Sequence, residues 1–267
     1  SKKVNTMTRN SITGLGLATF ATLGLTVCAD AQTVSAAKNV DIASSTATPA
    51  ASVTNAIVTQ IVPGSGTTAT AETFLLQDST GALEVYKLPI SSTTYTPAVG
   101  DIVSVSGDIT SFHGLFELET SGTTTVTASK TGTAVSLPQP SVFTTPGLTN
   151  GSTVGNAQQS TLGNLSGVTF TGATGSFASG VSYTVTNAAG SAIVYVGTGS
   201  PLIGQAIPTG LANVYGYLGQ YDTAATTFGS GASSTNGYEL DPLSVTAAPE
   251  PSSVAAVLIG TGLLVHL

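Results

Sequence analysis

The sequence predicts an all-β protein whose body is two tandem small barrels from an internal duplication, with an apolar helix at each terminus. Three observations predict it. Hydrophobic residues make up 41% of the chain and charged residues only 7%, against roughly 25% charged in a typical soluble domain. The apolar residues fall in short β-branched runs separated by Gly, Ser, Thr, Asn and Pro, the pattern of strands and turns. Finally, the stretch Val99–Leu118, which reads as two strands joined by a tight turn at Phe112-His113-Gly114, recurs later in the chain.

The recurrence has a fixed spacing. Phe74–Tyr86 matches Tyr183–Tyr195 at an offset of 109 positions, and the same offset carries Val105–Ile109 onto Val214–Leu218 and Phe112 onto Tyr221. Beyond that point Phe116-Glu117-Leu118 meets Tyr238-Glu239-Leu240 at an offset of 122, so the second copy holds 13 extra residues around 223–236. That insertion is rich in Gly, Ser and Thr and reads as a loop. Each copy then has a first strand (53–62 and 165–171), a hairpin turning at Asp78–Gly81 or Asn187–Gly190, a Pro-containing crossover and two last strands. Five short strands with a long connection after the third is the plan of an OB-type Greek-key barrel. Gly107 and Gly216, mid-strand, are expected at a bend or bulge.

The pattern Leu76-Gln77-Asp78 with Thr80-Gly81, then Gly100-Asp101 leading to Gly107, then Gly114-Leu115 with Leu118, resembles the OB-like domains that accompany secreted bacterial nucleases and surface proteins. The first copy matches well, the second in outline. The resemblance implies a fold and a binding face, and it carries over no catalytic residue. The organisation expected is a signal peptide over 1–31, a flexible leader over 32–52, one β domain over 53–130 and a second over 162–247. Residues 131–161, with Pro138, Pro140 and Pro146, read as an extended linker with edge-strand capacity, and 248–267 as a sorting segment.

Both ends read as addresses. Lys2, Lys3 and Arg9 precede an apolar run over Ile12–Val27, and Ala29-Asp30-Ala31 offers small residues at Ala29 and Ala31, where a signal peptidase reads. Met7 is a candidate true start; an uncleaved anchor helix and a lipidated Cys28 are the alternatives. At the other end Pro249-Glu250-Pro251 leads into an apolar run over Val254–Val265. This resembles the PEP-CTERM sorting signal, which implies an exosortase-type enzyme as partner, a bacterial envelope or extracellular-matrix location and an association with exopolysaccharide. The basic cluster of that family is missing after His266-Leu267. As a helix, 252–267 would span roughly 24 Å against about 30 Å of hydrocarbon, which suits a transient membrane association better than a stable anchor. An ordinary C-terminal membrane tail is the alternative.

Charge and side-chain chemistry exclude more than they select. Beyond the signal peptide the cations are Lys38, Lys87 and Lys130, with no arginine, which argues against nucleic acid as a partner. Cys28 sits in the leader, so the body has neither a disulfide nor a cysteine metal site. His113 is the one body histidine ahead of the tail, and it reads as an exposed turn residue, so no catalytic triad or zinc cluster is expected. Asp78, Glu84, Asp101, Asp108, Glu117 and Glu119 could suit a calcium site or a glycosidase pair, yet Asp78 and Asp101 sit where Asp closes turns and alternation places Asp108 on a solvent face. No cofactor, metal or catalytic residue is expected.

The candidate ligand-binding residues are Tyr215, Tyr217 and Tyr221. The first two share the face of their strand opposite Val214, Gly216 and Leu218, and Tyr221 follows with the inserted loop, in the position of an OB fold's ligand-contacting loop. Exposed tyrosines stack on sugar rings, as they can on bases; packing against the other copy or the linker is the alternative. The expectation is a secreted, non-enzymatic protein with a structural or polysaccharide-binding role. The alternative is an oligonucleotide-binding or nuclease-accessory module.

Overall fold

The computed structural model describes residues 31–43, 49–64, 71–90, 95–120, 124–223 and 236–249. The chain begins with α1 (Val34–Ala43) and continues into β1 (Ala50–Ile61), β2 (Ala71–Asp78), β3 (Gly81–Pro89), β4 (Asp101–Phe112) and β5 (Leu115–Glu119). These strands pair in the order β1-β2-β3-β5-β4, and β4 returns to β1, so the sheet closes into a five-stranded barrel. All its pairings are antiparallel except β3 with β5, where Val85 stands beside Leu118. β6 (Thr127–Thr133) adds to the free side of β4.

A short edge strand, β7 (Ser141–Phe143), a single 3-10 turn over Pro146–Leu148 and α2 (Thr153–Gln158) lead to the second sheet. It holds β8 (Leu162–Phe170), β9 (Val181–Asn187), β10 (Gly190–Val196), β11 (Ala212–Gln220) and β12 (Tyr238–Ala247). The order is β8-β9-β10-β12-β11, β11 also pairs with β8, and β7 flanks β8. Here too one pairing of the ring is parallel, β10 with β12, where Val194 meets Leu240.

The registers repeat with the order. Asp78 faces Gly81 across the first hairpin and Asn187 faces Gly190 across the second. Ile109 pairs with Leu118 and Leu218 with Leu240. Each first strand also bulges at one residue in the left-handed region, Asn55 (φ 57°) in β1 and Gly167 (φ 65°) in β8. Asn and Gly are the residues that tolerate this conformation at low cost. Gly216 lies at a register shift in β11, where a Cβ would come within 2.1 Å of the Asp241 carbonyl. Gly107 shows no such shift; its missing side chain instead makes room for Leu118 and Val126.

Alternation sorts the side chains. Val53, Val58, Phe74, Leu76, Leu83, Val85, Ile109 and Leu118 fill the first barrel, and Leu165, Val168, Val185, Val194, Val214, Leu218 and Leu240 the second. At about 1.5–3 kcal/mol for each large apolar side chain buried, two such interiors account for cohesion without disulfides.

Segments expected to be irregular carry structure. Within 32–52, read as a flexible leader, α1 buries Val34 and Ala37 in the first core. Its first turn is held locally, the Thr33 hydroxyl accepting from the Ala36 amide at 3.2 Å, and remotely, the Asp78 carboxylate of the first hairpin accepting from the Val34 amide at 2.8 Å. Within 131–161, read as a linker, β7 realises the edge-strand capacity, and the 3-10 turn and α2 follow. No described helix is long and apolar enough to cross a membrane. Both terminal apolar runs, with Ala29, Glu250 and Pro251, lie outside the described residues; Ala31 and Pro249 are exposed.

Candidate functional site

The three tyrosines do not form one face. Along β11 buried and half-buried residues alternate from Ala212 to Leu218, with Tyr215 and Tyr217 on the outer side as expected. Tyr217, however, is turned toward the first barrel. Burial pushes its phenol well above the usual range, and the nearby carboxylates of Asp241, Glu84 and Glu239 push it further. Tyr215 is half-buried, and burial raises its phenol as well. Tyr221 is different: it is 48% exposed, past the end of the strand.

Tyr221 stands where the two barrels touch. The Asp222 amide donates to the His113 carbonyl at 2.8 Å, and His113 Nδ1 donates to the Asp222 carbonyl at 3.0 Å. A carbonyl only accepts, which assigns the proton to Nδ1. This turn brings the rings together: His113 lies over Tyr221 at 4.2 Å between centroids, and Phe112 meets His113 edge-on at 4.6 Å. His113 is therefore half-buried in a contact between barrels and not a free turn residue. Phe112 keeps 37% of its surface exposed, so two rings from repeat-equivalent positions present one aromatic edge to solvent.

A buried amide anchors the contact. Gln159 Oε1 accepts from the Phe116 amide at 3.1 Å, and its Nε2 donates to the Gly114 carbonyl at 2.7 Å and to Gln220 Oε1. The side chain is fully buried. A glutamine in a stretch read as linker gives no sequence signal for this role, because its partners, two backbone groups of the first barrel and the Gln220 side chain, lie 43 to 61 residues away.

Beside Tyr221 an open groove of about 510 Å³ runs along the outer side of β10 and β12. Asn150, Ser191, Ile193, Tyr221 and Glu239 line it. Asn150 is fixed by accepting the Gly237 amide at 3.0 Å, and Tyr238 by donating to the Ser152 carbonyl at 3.0 Å. Burial raises the Glu239 carboxyl to about 7. An aromatic face beside an amide, a hydroxyl and a carboxylate suits a polyhydroxylated ring: the aromatic takes its C–H face, and the polar groups its hydroxyls.

The remaining charged groups serve the fold. Asp78 Oδ1 accepts from the Thr80 and Gly81 amides, closing its turn as expected, and Asn187 Oδ1 closes the equivalent turn through the Ala189 amide. Asp101 pairs with Lys130 at 2.5 Å and accepts from the Tyr95 hydroxyl at 2.9 Å. Asp108, expected on a solvent face, is only 5% exposed, with a hydrogen bond to Thr124 in the segment between β5 and β6. Alternation gave its side of the strand correctly but could not foresee that cover. Lys38 is lowered to about 8 by burial, with Asp78 opposing the shift, and Lys87 lies 4.5 Å from the Tyr86 ring centroid. Among the described residues no group of His, Cys, Asp or Glu could hold a metal ion.

Comparison with protein-family models, with curated proteins and with solved structures finds no match for this chain.

Proposed function

We propose that this is a secreted, non-enzymatic protein of the bacterial envelope or extracellular matrix, built from two duplicated OB-like barrels, that binds polysaccharide through the Tyr221 groove. Support for the duplication comes from the shared strand order, the matching hairpin and last-strand registers, and the paired bulges at Asn55 and Gly167. The sorting part of the reading rests on the Pro249-Glu250-Pro251 motif and the apolar run behind it.

The observation that carries the binding role is the exposure of Tyr221 at the mouth of a groove with fixed polar groups. The test is calorimetric titration of the full chain with soluble neutral, amino-sugar and uronic oligosaccharides. Saturable binding that Tyr221→Ala weakens about fivefold or more, in line with one lost aromatic contact, supports the reading. No binding to any of them, or binding unaffected by the substitution, contradicts it.

An oligonucleotide-binding role is the second reading, favoured by the strand order alone. Against it, burial lowers Lys38 to about 8 and Lys130 is paired with Asp101, which leaves little free positive charge among the described residues for a phosphate backbone. Binding to single-stranded DNA with a steep salt dependence would favour this second reading.

A further inference from the structure

The outer side of the first barrel carries a row of side chains that are not wet. Leu75 pairs with Glu84, Glu84 with Glu117 and Glu117 with Thr110, so these four residues line up across β2, β3, β5 and β4. Their neighbours Leu83, Val85, Phe116 and Leu118 point into the core, so the row points outward. Even so, Leu75 and Thr110 are fully buried, and Glu84 and Glu117 are 9% and 6% exposed. The second barrel and its approach cover them. Gln159, just before β8, grips the β4–β5 turn, and Tyr217 and Asp241 lie close enough to feel the charge of Glu84.

The covering surface is acidic as well. Tyr217 pairs with Asp241 and Gly219 with Glu239 across β11 and β12. A Cβ on Gly219 would stand 2.5 Å from Asp241 Oδ2 and 3.6 Å from Glu239 Cγ, so both carboxylate side chains pass over that glycine. From β5 Glu119 and from β4 Asp108 add further carboxylates at the edge. Lys87 on β3 is the one described lysine acting on the cluster, reaching Glu117 and Glu119 from an exposed position beside Tyr86.

We propose that the two barrels dock through a proton-held carboxylate layer, Glu84 and Glu117 from the first and Glu239 and Asp241 from the second, so that the interface closes as pH falls and loosens as it rises. Glu84 and Glu117 are nearly out of water and Glu239 and Asp241 half-buried, so beside a single peripheral cation the four cannot all ionise cheaply. The titration has the matching direction. Burial raises Glu84 and Glu239 to about 7 from an ordinary 4.5, and raises Glu117 and Asp241 too. Acids whose docked values lie above their free values take up protons on docking. For Glu84 and Glu239 the contribution is therefore complete below about 4.5 and lost as pH climbs through about 7, and Glu117 and Asp241 act in the same direction. The same layer reaches the binding groove, because Glu239 lines both.

The test is small-angle scattering of the full chain from pH 4.5 to 8.5 at constant ionic strength, with circular dichroism to confirm that both barrels stay folded. The expected result is a compact particle in acid that extends with a midpoint near pH 7. In the Glu84→Gln/Asp241→Asn variant the ratio of docked to open forms at pH 8 should rise at least about tenfold, the equivalent of one pKa unit of linkage. Glu239→Gln provides an independent check should the double variant fail to fold. A wild-type size that is constant over the whole range would overturn the proposal, as would a midpoint that neither variant moves.

Discussion

The outer side of β3 and β5 in the first barrel and of β10 and β12 in the second are the same surface used in two ways. At repeat-equivalent positions stand Glu84 and Ile193 on the third strands, and Glu117 and Glu239 on the last. In the first barrel this surface is covered, with Glu84 and Glu117 nearly inaccessible. In the second it is an open groove lined by Ile193 and Glu239, with Tyr221 at its rim. Of two faces at sequence-equivalent positions, one is thus covered and the other stays open along its groove. Cover in the first copy comes from the second barrel and its approach, with Tyr217 and Asp241 near Glu84 and Gln159 holding the β4–β5 turn, which is why the two halves differ despite matching registers.

Removing what covers the first face should break this asymmetry most severely. Gln159→Leu leaves the Phe116 amide and the Gly114 carbonyl without their buried partner, and each orphaned group costs about 1–3 kcal/mol. Urea unfolding should show a loss of about 3 kcal/mol in total and a single transition split into two as the barrels uncouple. A single transition at the wild-type midpoint would mean that the contact is ornamental.

A smaller effect should separate the two hairpins. Asp78 caps α1 through Val34 in addition to closing its turn, whereas Asn187 closes its turn and accepts from the Thr145 hydroxyl at 2.9 Å. Asp78→Ala should cost about 2 kcal/mol and Asn187→Ala about 1 kcal/mol, since the first loses a helix cap as well as a turn. Thermal melts of the two variants check the order; equal losses would imply that α1 contributes nothing to the first barrel.

Much of this was legible in the sequence because it depends on local chemistry. β-branched alternation gives the strands, Asp78 and Asn187 followed by glycine three residues on give the hairpins, and the shared offset gives the equivalence of the two halves. The repeated Glu117-Leu118-Glu119 and Glu239-Leu240-Asp241 triplets already place carboxylates on the outer side of both last strands. What covers those carboxylates was not legible, because burial of an outward face depends on another domain and not on the strand's own pattern. For the same reason Tyr215, Tyr217 and Tyr221 read as one platform in the sequence, while the structure sets Tyr217 against the first barrel and leaves Tyr221 at the groove. Helix α1 takes a local cap from Thr33, but its seating on the first barrel was hidden, since the Asp78 carboxylate that holds the Val34 amide lies 44 residues away.

The most direct test of this division of labour is amide chemical-shift mapping on the full chain during titration with the neutral, amino-sugar and uronic oligosaccharides. The account predicts shifts at Ser191, Ile193, Tyr221 and Glu239, with Glu84 and Glu117 unmoved. Shifts confined to the first barrel, or none with any of the sugars, would contradict it.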